Sequence, residues 1–262
     1  MILKYFIAVI IVSALIIILP TFLDERDFIF INKINEPIST STEIILDINK
    51  KEEIKAGGYV QGKVAAKTKQ NILLDVPFTS QAPFGDWSDP RQQDGCEETA
   101  VIMAMYWTKN KSLISQEALD EILALSKWQT ENYSEYRDTS AFDTAERLFG
   151  EYFEYRNFEV IYDFSAEDII AELQQGNLII TPMNGQKLVN PYFTPPGSER
   201  HMVVIRGYDF STKEFITNDP GTKRGEAYRY KQDAFMSAIR DYPTGYHEDI
   251  NKIIKAMIII RK

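Results

Sequence analysis

Gln92-Gln93-Asp94-Gly95-Cys96-Glu97-Glu98-Thr99-Ala100, running on into Val101-Ile102-Met103-Ala104-Met105-Tyr106-Trp107, is the stretch from which the rest of the chain is read. A glycine turn gives way to a run that is apolar on every side, the pattern of a buried helix, and Cys96 stands at its entrance. Cys96 is the only cysteine in 262 residues. At a helix N-terminus a thiol meets unpaired N–H groups and the positive end of the helix dipole, both of which favour the nucleophilic thiolate. Glu97 and Glu98 suit a first helical turn but oppose that effect, because nearby negative charge raises a thiol pKa. A lone cysteine is also a common packing residue, so this segment alone does not decide between chemistry and structure.

Composition narrows the choice. A hydrophobic content of 44% with 12% aromatics supplies a core for one substantial domain with appendages. The net charge of -9 and the lack of a dense Lys/Arg run argue against nucleic acid as a partner. One cysteine excludes an internal disulfide framework, no Cys/His spacing suits zinc, and no cofactor motif is present.

Residues 5–23 carry no charge. At the helical rise they span roughly 28 Å, close to the hydrocarbon core of a bilayer. Residues 1–23 therefore read as a single-pass membrane anchor. Leu19-Pro20-Thr21-Phe22 lacks the small-x-small site that a cleaved signal peptide needs. Lys4 precedes the span and Asp24-Glu25-Arg26-Asp27 follows it, which places the body outside the cytoplasm by the positive-inside rule. Residues 24–71 are polar and mixed, a stalk or linker, and residues 72–262 form the globular domain.

Within that domain helices come first. Ser115 can cap one carrying Leu119, Ile122 and Leu123, Ser140 can cap another over Ala145, Leu148 and Phe149, and residues 128–137 read as an aromatic loop between them. Ser165 and Asp168 form a capping-box pattern ahead of a helix that stops at Gly176. Strand patterns dominate afterwards, at residues 178–181, 201–208, 214–217, 226–230 and 253–260, with a short helix near 233–240. Two earlier strands are expected at 72–78 and 158–162. The layout is α+β: a helical lobe, with the cysteine helix in it, packed on a mostly antiparallel sheet.

A base to activate Cys96 has two candidates, His201 and His247. His201 opens the apolar strand His201-Met202-Val203-Val204-Ile205-Arg206-Gly207-Tyr208-Asp209, a rigid mount, whereas His247 lies in a polar turn. Asn218-Asp219-Pro220-Gly221, after the next strand, offers two groups that can orient an imidazole. If residues 201–207 and 214–217 form a hairpin turning at Phe210, His201 faces Asp219; a two-residue turn at Asp209-Phe210 selects Asn218 instead. Asp209-Phe210 lacks two-residue turn character, which favours Asp219. The loop at 183–200 delivers the chain to His201 and is expected to line one wall of a substrate cleft.

Val76-Pro77-Phe78-Thr79-Ser80-Gln81, Gly95-Cys96 opening an apolar helix, the His201 strand and Asn218-Asp219-Pro220-Gly221 together resemble the papain-like cysteine peptidases of the bacteriocin-processing type, family thirty-nine, in the branch without a transporter. The resemblance covers about residue 72 to the C-terminus. It implies a papain-like fold, Cys96 as nucleophile, His201 as general base and acid, Asp219 as orienter and Gln81 as the oxyanion-hole side chain, with Gln92 and Gln93 as competitors for that last role. Where relatives carry Cys-Gly-Pro-Thr this chain has Cys96-Glu97-Glu98-Thr99. The implied partner is a peptide or protein substrate, and the implied reaction is hydrolysis of an amide through a thioester. A cell-wall amidase or acyl transferase with the same residues, and a non-catalytic extracellular binding module on the same fold, are the alternatives.

Overall fold

Asp89 caps a single-turn helix, α1 (Pro90–Gln93), by accepting a hydrogen bond from the Arg91 N–H at 2.9 Å. After Asp94 and Gly95 the chain enters α2 (Cys96–Thr108), in which all but Tyr106 and Thr108 are buried. A Cβ on Gly95 would lie 2.4 Å from the Arg91 carbonyl oxygen, so glycine is what lets the two helices meet this closely. The computed structural model describes residues 70–262, which belong to one unit, residues 64–262. The expected anchor at 1–23 and all but the last two residues of the expected stalk at 24–71 lie outside the described residues. No helix among the described residues is long and apolar enough to cross a membrane.

The second long helix, α3 (Ser115–Tyr133), departs from the sequence expectation at both ends. Ser115 is its first helical residue rather than its cap; Ile114 holds the cap position, and Glu117 accepts the Ile114 N–H at 3.3 Å. The helix also takes in residues 128–133 of the expected loop, because Gln129 is fully buried against α2 and ties that turn down. Ser140 does cap the next segment, α4 (Ala141–Asp143), accepting from Asp143 N at 3.1 Å, and the helix continues as a π-helix, Thr144–Tyr152, that buries Ala145, Leu148 and Phe149. The Ser165–Asp168 capping box opens α5 (Ala166–Gln174), and Gly176 follows its end at φ +85°.

Among the described residues seven strands form one sheet: β1 (Ile72–Leu73), β2 (Phe158–Tyr162), β3 (Leu178–Met183), β4 (His201–Asp209), β5 (Glu214–Asn218), β6 (Tyr228–Lys231) and β7 (Ala256–Ile260). Their order is β2-β7-β3-β4-β5-β6, β1 pairs with β4, and every pairing is antiparallel. Two short helices complete the unit, α6 (Gly185–Leu188) inside the expected loop and α7 (Gln232–Ala238) after β6. The expected strand at 72–78 shrinks to two residues. Beyond Leu74, whose N–H reaches Arg206 O at 2.7 Å, the chain leaves β4, and Pro77 has no N–H to pair.

Side-chain alternation divides the core in two. Leu178, Ile180, Met202, Val204, Ala256, Ile258 and Ile260 pack with α2, α3 and the π-helix. Ile179, Val203, Ile205, Phe215, Met257 and Ile259 pack instead with Ile169 and Leu173 of α5 and Phe235 of α7. Both faces of β3, β4 and β7 are covered, which explains why these strands read as unbroken apolar runs although the sheet is antiparallel. At roughly 1.5–3 kcal/mol for each large aliphatic side chain fully buried, this double cover is the main support for β4 and so for His201 at its start.

Register in the β4–β5 hairpin differs from the expectation. The turn is Phe210 to Lys213, organised by Asp209 Oδ1, which accepts from Ser211 N at 2.9 Å and Thr212 N at 3.2 Å, and Asp209 pairs with Glu214. A bulge at Arg206 then shifts the ladder by one, so that Ile205 faces Thr217 and Val204 faces Asn218. Carried on, this register sets His201 opposite Gly221, not Asp219. Because strand side chains alternate, Asp219 still shares the face of His201 and Asn218 falls on the other.

Candidate active site

Asp219 is fully buried at the end of β5 and accepts three hydrogen bonds. His201 Nε2 lies 2.7 Å from its Oδ1, Gly221 N donates to the same oxygen at 3.0 Å, and the Tyr230 hydroxyl donates to Oδ2 at 2.6 Å. Asn190 Nδ2 in turn donates to that hydroxyl at 2.7 Å. Burial alone would raise the Asp219 pKa; the charge of His201 and the donors on the carboxylate outweigh it and hold the group below its usual value. Burial and the facing carboxylate push Tyr230 far upward, so it stays a neutral donor. Gly221 backs the imidazole, since a Cβ there would lie 2.9 Å from His201 Cε1, and Phe193 meets the ring edge-on at 5.3 Å between centroids.

Asn218 is committed elsewhere. Its Oδ1 accepts from Arg206 Nη1 and Ala227 N, each at 3.2 Å, and its Nδ2 donates to the carbonyls of Val76 and Pro77 at 3.2 Å. It ties the bulge residue and the segment before Gln81 to β5.

Cys96, His201 and Gln81 line one cleft of about 1150 Å³. Tyr192, Phe193, Thr194 and residues 197–200 form part of its wall, as expected for the loop that delivers His201. Gln81 is buried, held by its own N–H on Pro220 O at 2.9 Å, and its Nε2 donates to Gln93 O at 2.7 Å. A primary amide carries two N–H hydrogens, so one remains for an oxyanion. Of the competing glutamines, Gln93 lines the cleft but is exposed and serves Gln81 through its backbone carbonyl, while Gln92 is buried outside the cleft lining. His247 also lines the cleft, exposed and with its ring stacked on Tyr246 at 4.0 Å between centroids; its backbone N–H donates to Asp138 at 2.8 Å. Among the described residues its ring has no carboxylate partner comparable to Asp219 of His201.

The acidic pair after Cys96 is buried rather than solvated, which the first-turn reading did not foresee. The Cys96 thiol donates to Glu97 Oε2 at 3.0 Å, and the Tyr242 hydroxyl donates to Glu97 Oε1 at 2.7 Å. Glu98 accepts from Gln129 Nε2 at 2.6 Å. Burial is the largest cause raising each of these groups: it lifts Glu97 to about 7, raises Glu98 well above the usual carboxyl value, and together with Glu97 pushes the thiol well above its own. Sequence reading did not find Tyr230 and Tyr242, which reach the site from distant elements and carry no local signal. The one available clue to Glu97 was an acidic pair at the head of a helix otherwise apolar all round. Among the described residues no group of three or more His, Cys, Asp or Glu side chains is placed to hold a metal ion.

The model of the peptidase C39-like family matches residues 73–247. The chain belongs to that family. The matched span holds Gln81, Cys96, His201 and Asp219 together. A solved structure described as a C39-like peptidase, from Bacillus anthracis, is similar at 14% identity with a TM-score of 0.45, over 74% of this chain and 99% of that one. No curated protein matches this sequence. Family membership and the mixed helix and antiparallel-sheet architecture make this a peptidase-like protein.

Proposed function

We propose that this C39-like protein is a cysteine peptidase that cleaves peptide bonds with Cys96 as nucleophile, His201 as general base and acid, Asp219 as the residue orienting His201, and Gln81 as an oxyanion donor. The observation carrying the reading is the buried His201–Asp219 pair opening onto the same cleft as the only cysteine. With Nε2–H given to Asp219, the neutral imidazole keeps Nδ1 unprotonated and able to take the thiol proton. Cys96 Sγ then attacks the substrate carbonyl. The negative oxygen is held by the second Gln81 N–H and by the Cys96 backbone N–H, which lies in a first helical turn where no earlier carbonyl takes it. His201 returns the proton to the leaving amine, and water hydrolyses the thioester with His201 again as base.

The cleft lining carries both signs, with Asp94, Asp138 and Asp249 as well as Arg200, Lys223 and Arg224, which suits a polar peptide held along its length. The uncharged run at 5–23 supports a single-pass tether, with the domain outside the cytoplasm.

Cleavage profiling of a peptide library tests the reading. New N-termini should appear with the wild-type protein and vanish with Cys96→Ala and with His201→Ala while the fold is kept. No cleavage by wild type, with Cys96 no more reactive than a free thiol near neutral pH, would favour a non-catalytic binding module. Release of ammonia or acyl transfer in place of peptide cleavage would favour an amidase or transferase.

A further inference from the structure

Among the described residues Glu97 is the one carboxylate in hydrogen-bond contact with the proposed nucleophile, and nothing in the acyl-transfer sequence above uses it. It is 1% exposed, and its two oxygens are taken from opposite sides by the Cys96 thiol at 3.0 Å and the Tyr242 hydroxyl at 2.7 Å. A carboxylate so placed accepts S–H. It is a poor neighbour for a thiolate, because two negative charges would then share a dry site. A protonated carboxyl in the same position reverses the relation, donating to the sulfur. The hydrogen bond recorded for the thiol therefore belongs to a resting arrangement in which Cys96 keeps its proton.

We infer that Glu97 is a positioning residue acting as a proton latch on Cys96: as a carboxylate it holds the thiol protonated, and uptake of one proton by Glu97 frees Cys96 to pass its own proton to His201. The inference rests on the peptidase reading of the same site. The balance is simple. Solvent supplies one proton to a Glu97 oxygen, the S–H hydrogen bond to that oxygen is lost, and the thiol proton moves to His201 Nδ1, leaving thiolate, imidazolium and a neutral carboxyl.

The surroundings support a latch that works near neutrality. Glu98 on the same helix and Asp138 from the loop before α4 add negative charge, which disfavours a second anion. Asp94 stands just ahead of α2 and is itself raised by burial and by Asp138. Arg200 is the nearby cation, with Nε 3.6 Å from Asp138, and Arg137 is engaged by Glu135 at 2.6 Å. Tyr242, whose own ionisation burial and Glu97 push far up, donates to the carboxylate and favours its charged form. Burial raises Glu97 to about 7 against these donors, so the pair changes state in the physiological range.

Iodoacetamide alkylation of Cys96 in the intact protein from pH 5.5 to 9, beside peptide hydrolysis over the same range, tests the latch. E97Q keeps the size of the side chain and removes its charge; at pH 8, where about a tenth of wild type carries a protonated Glu97, it should label about tenfold faster than wild type, with the labelling midpoint moved to lower pH. Y242F removes a donor that favours the carboxylate, so the wild-type midpoint for release should move to higher pH. In E97Q the decline of hydrolysis above about pH 7 should be absent. Labelling of E97Q no faster than wild type, with circular dichroism unchanged, overturns the inference, as does an unshifted profile in Y242F. A labelling shift in E97Q without peptide cleavage by any variant retains the latch and removes the peptidase reading. Cleavage by wild type with no labelling shift does the opposite.

Discussion

His201 and Asp219 hold each other at 2.7 Å although the strand register does not set them opposite one another. Their meeting depends on the bulge at Arg206. Before the bulge the ladder would place Asn218 on the His201 face; after it Asp219 takes that face, and Asn218 turns to Arg206, Val76 and Pro77. One inserted residue thus chooses a carboxylate over an amide as the partner of the imidazole.

Asp219→Ala should lower kcat/KM by about 10² or more, because the tautomer and orientation of His201 are lost, and should also cost stability, because the buried Tyr230 hydroxyl and the Gly221 N–H lose their acceptor. Asn218→Ala should cost stability alone. It leaves its partners on Arg206, Val76, Pro77 and Ala227 unpaired, at about 1–3 kcal/mol for those that are buried, on Arg206 and Val76, while the pH dependence of kcat/KM keeps its shape. Steady-state kinetics and thermal melts of the two variants check the division; a large kcat/KM loss in Asn218→Ala alone would reverse the assignment.

Two glycines give a matched pair of expectations. In Gly221→Ala the new methyl would sit 2.9 Å from His201 Cε1 and 3.0 Å from Phe193, so the ring must shift and kcat should fall roughly tenfold or more, since misplacement by about an ångström is costly in catalysis. In Gly207→Ala the methyl would meet Ile72 O at 2.3 Å, a clash between backbones that should cost about 1–3 kcal/mol of stability and little kcat in the protein that remains folded. Melting temperature and active-site titration separate the two.

Stability should depend on pH through Glu97. Burial lifts its folded pKa to about 7, above the 4.5 of an ordinary glutamate, so the folded protein binds more protons between those limits. That stabilisation is full below about pH 4.5 and is lost as pH rises through 7; at about 1.4 kcal/mol per unit the loss is roughly 3 kcal/mol. Glu98, raised in the same direction by burial and by Glu97, adds to the loss. Denaturant melts between pH 5 and 8 should show declining stability in wild type and a flatter curve in E97Q.

His247→Ala should leave kcat/KM within about threefold of wild type, since the ring is exposed and stacks on Tyr246. Activity lost to the same extent as in His201→Ala would move the base to the polar turn.

What could be read from the sequence follows the reach of each signal. Strong local signals survived: the all-round apolar α2, the Ser165–Asp168 capping box and the runs that became β3, β4 and β7. Ser115 and residues 128–133 were misread because tertiary contact decided them; Gln129 looks polar and loop-like in sequence yet is buried on Glu98. A loop centred on Phe210 puts Asp219 on the His201 face by one register; the four-residue turn and the bulge at Arg206 produce the same side-chain face by another. Tyr230 and Tyr242 contribute through folding that brings them 11 and 145 residues along the chain to Asp219 and Glu97, which no spacing rule announces.

The short strand β1 has a practical corollary for handling this protein. Ile72 pairs with Tyr208 near the turn end of β4, and His201 begins the other end, seven residues or about 23 Å away. Cargo attached ahead of Ile72, whether an affinity tag, a fluorophore or an immobilising surface, joins the domain at the end of β4 remote from the reactive residues. Such attachments should leave catalytic turnover unaltered, which makes this end of the domain the natural handle for single-molecule or surface-bound assays.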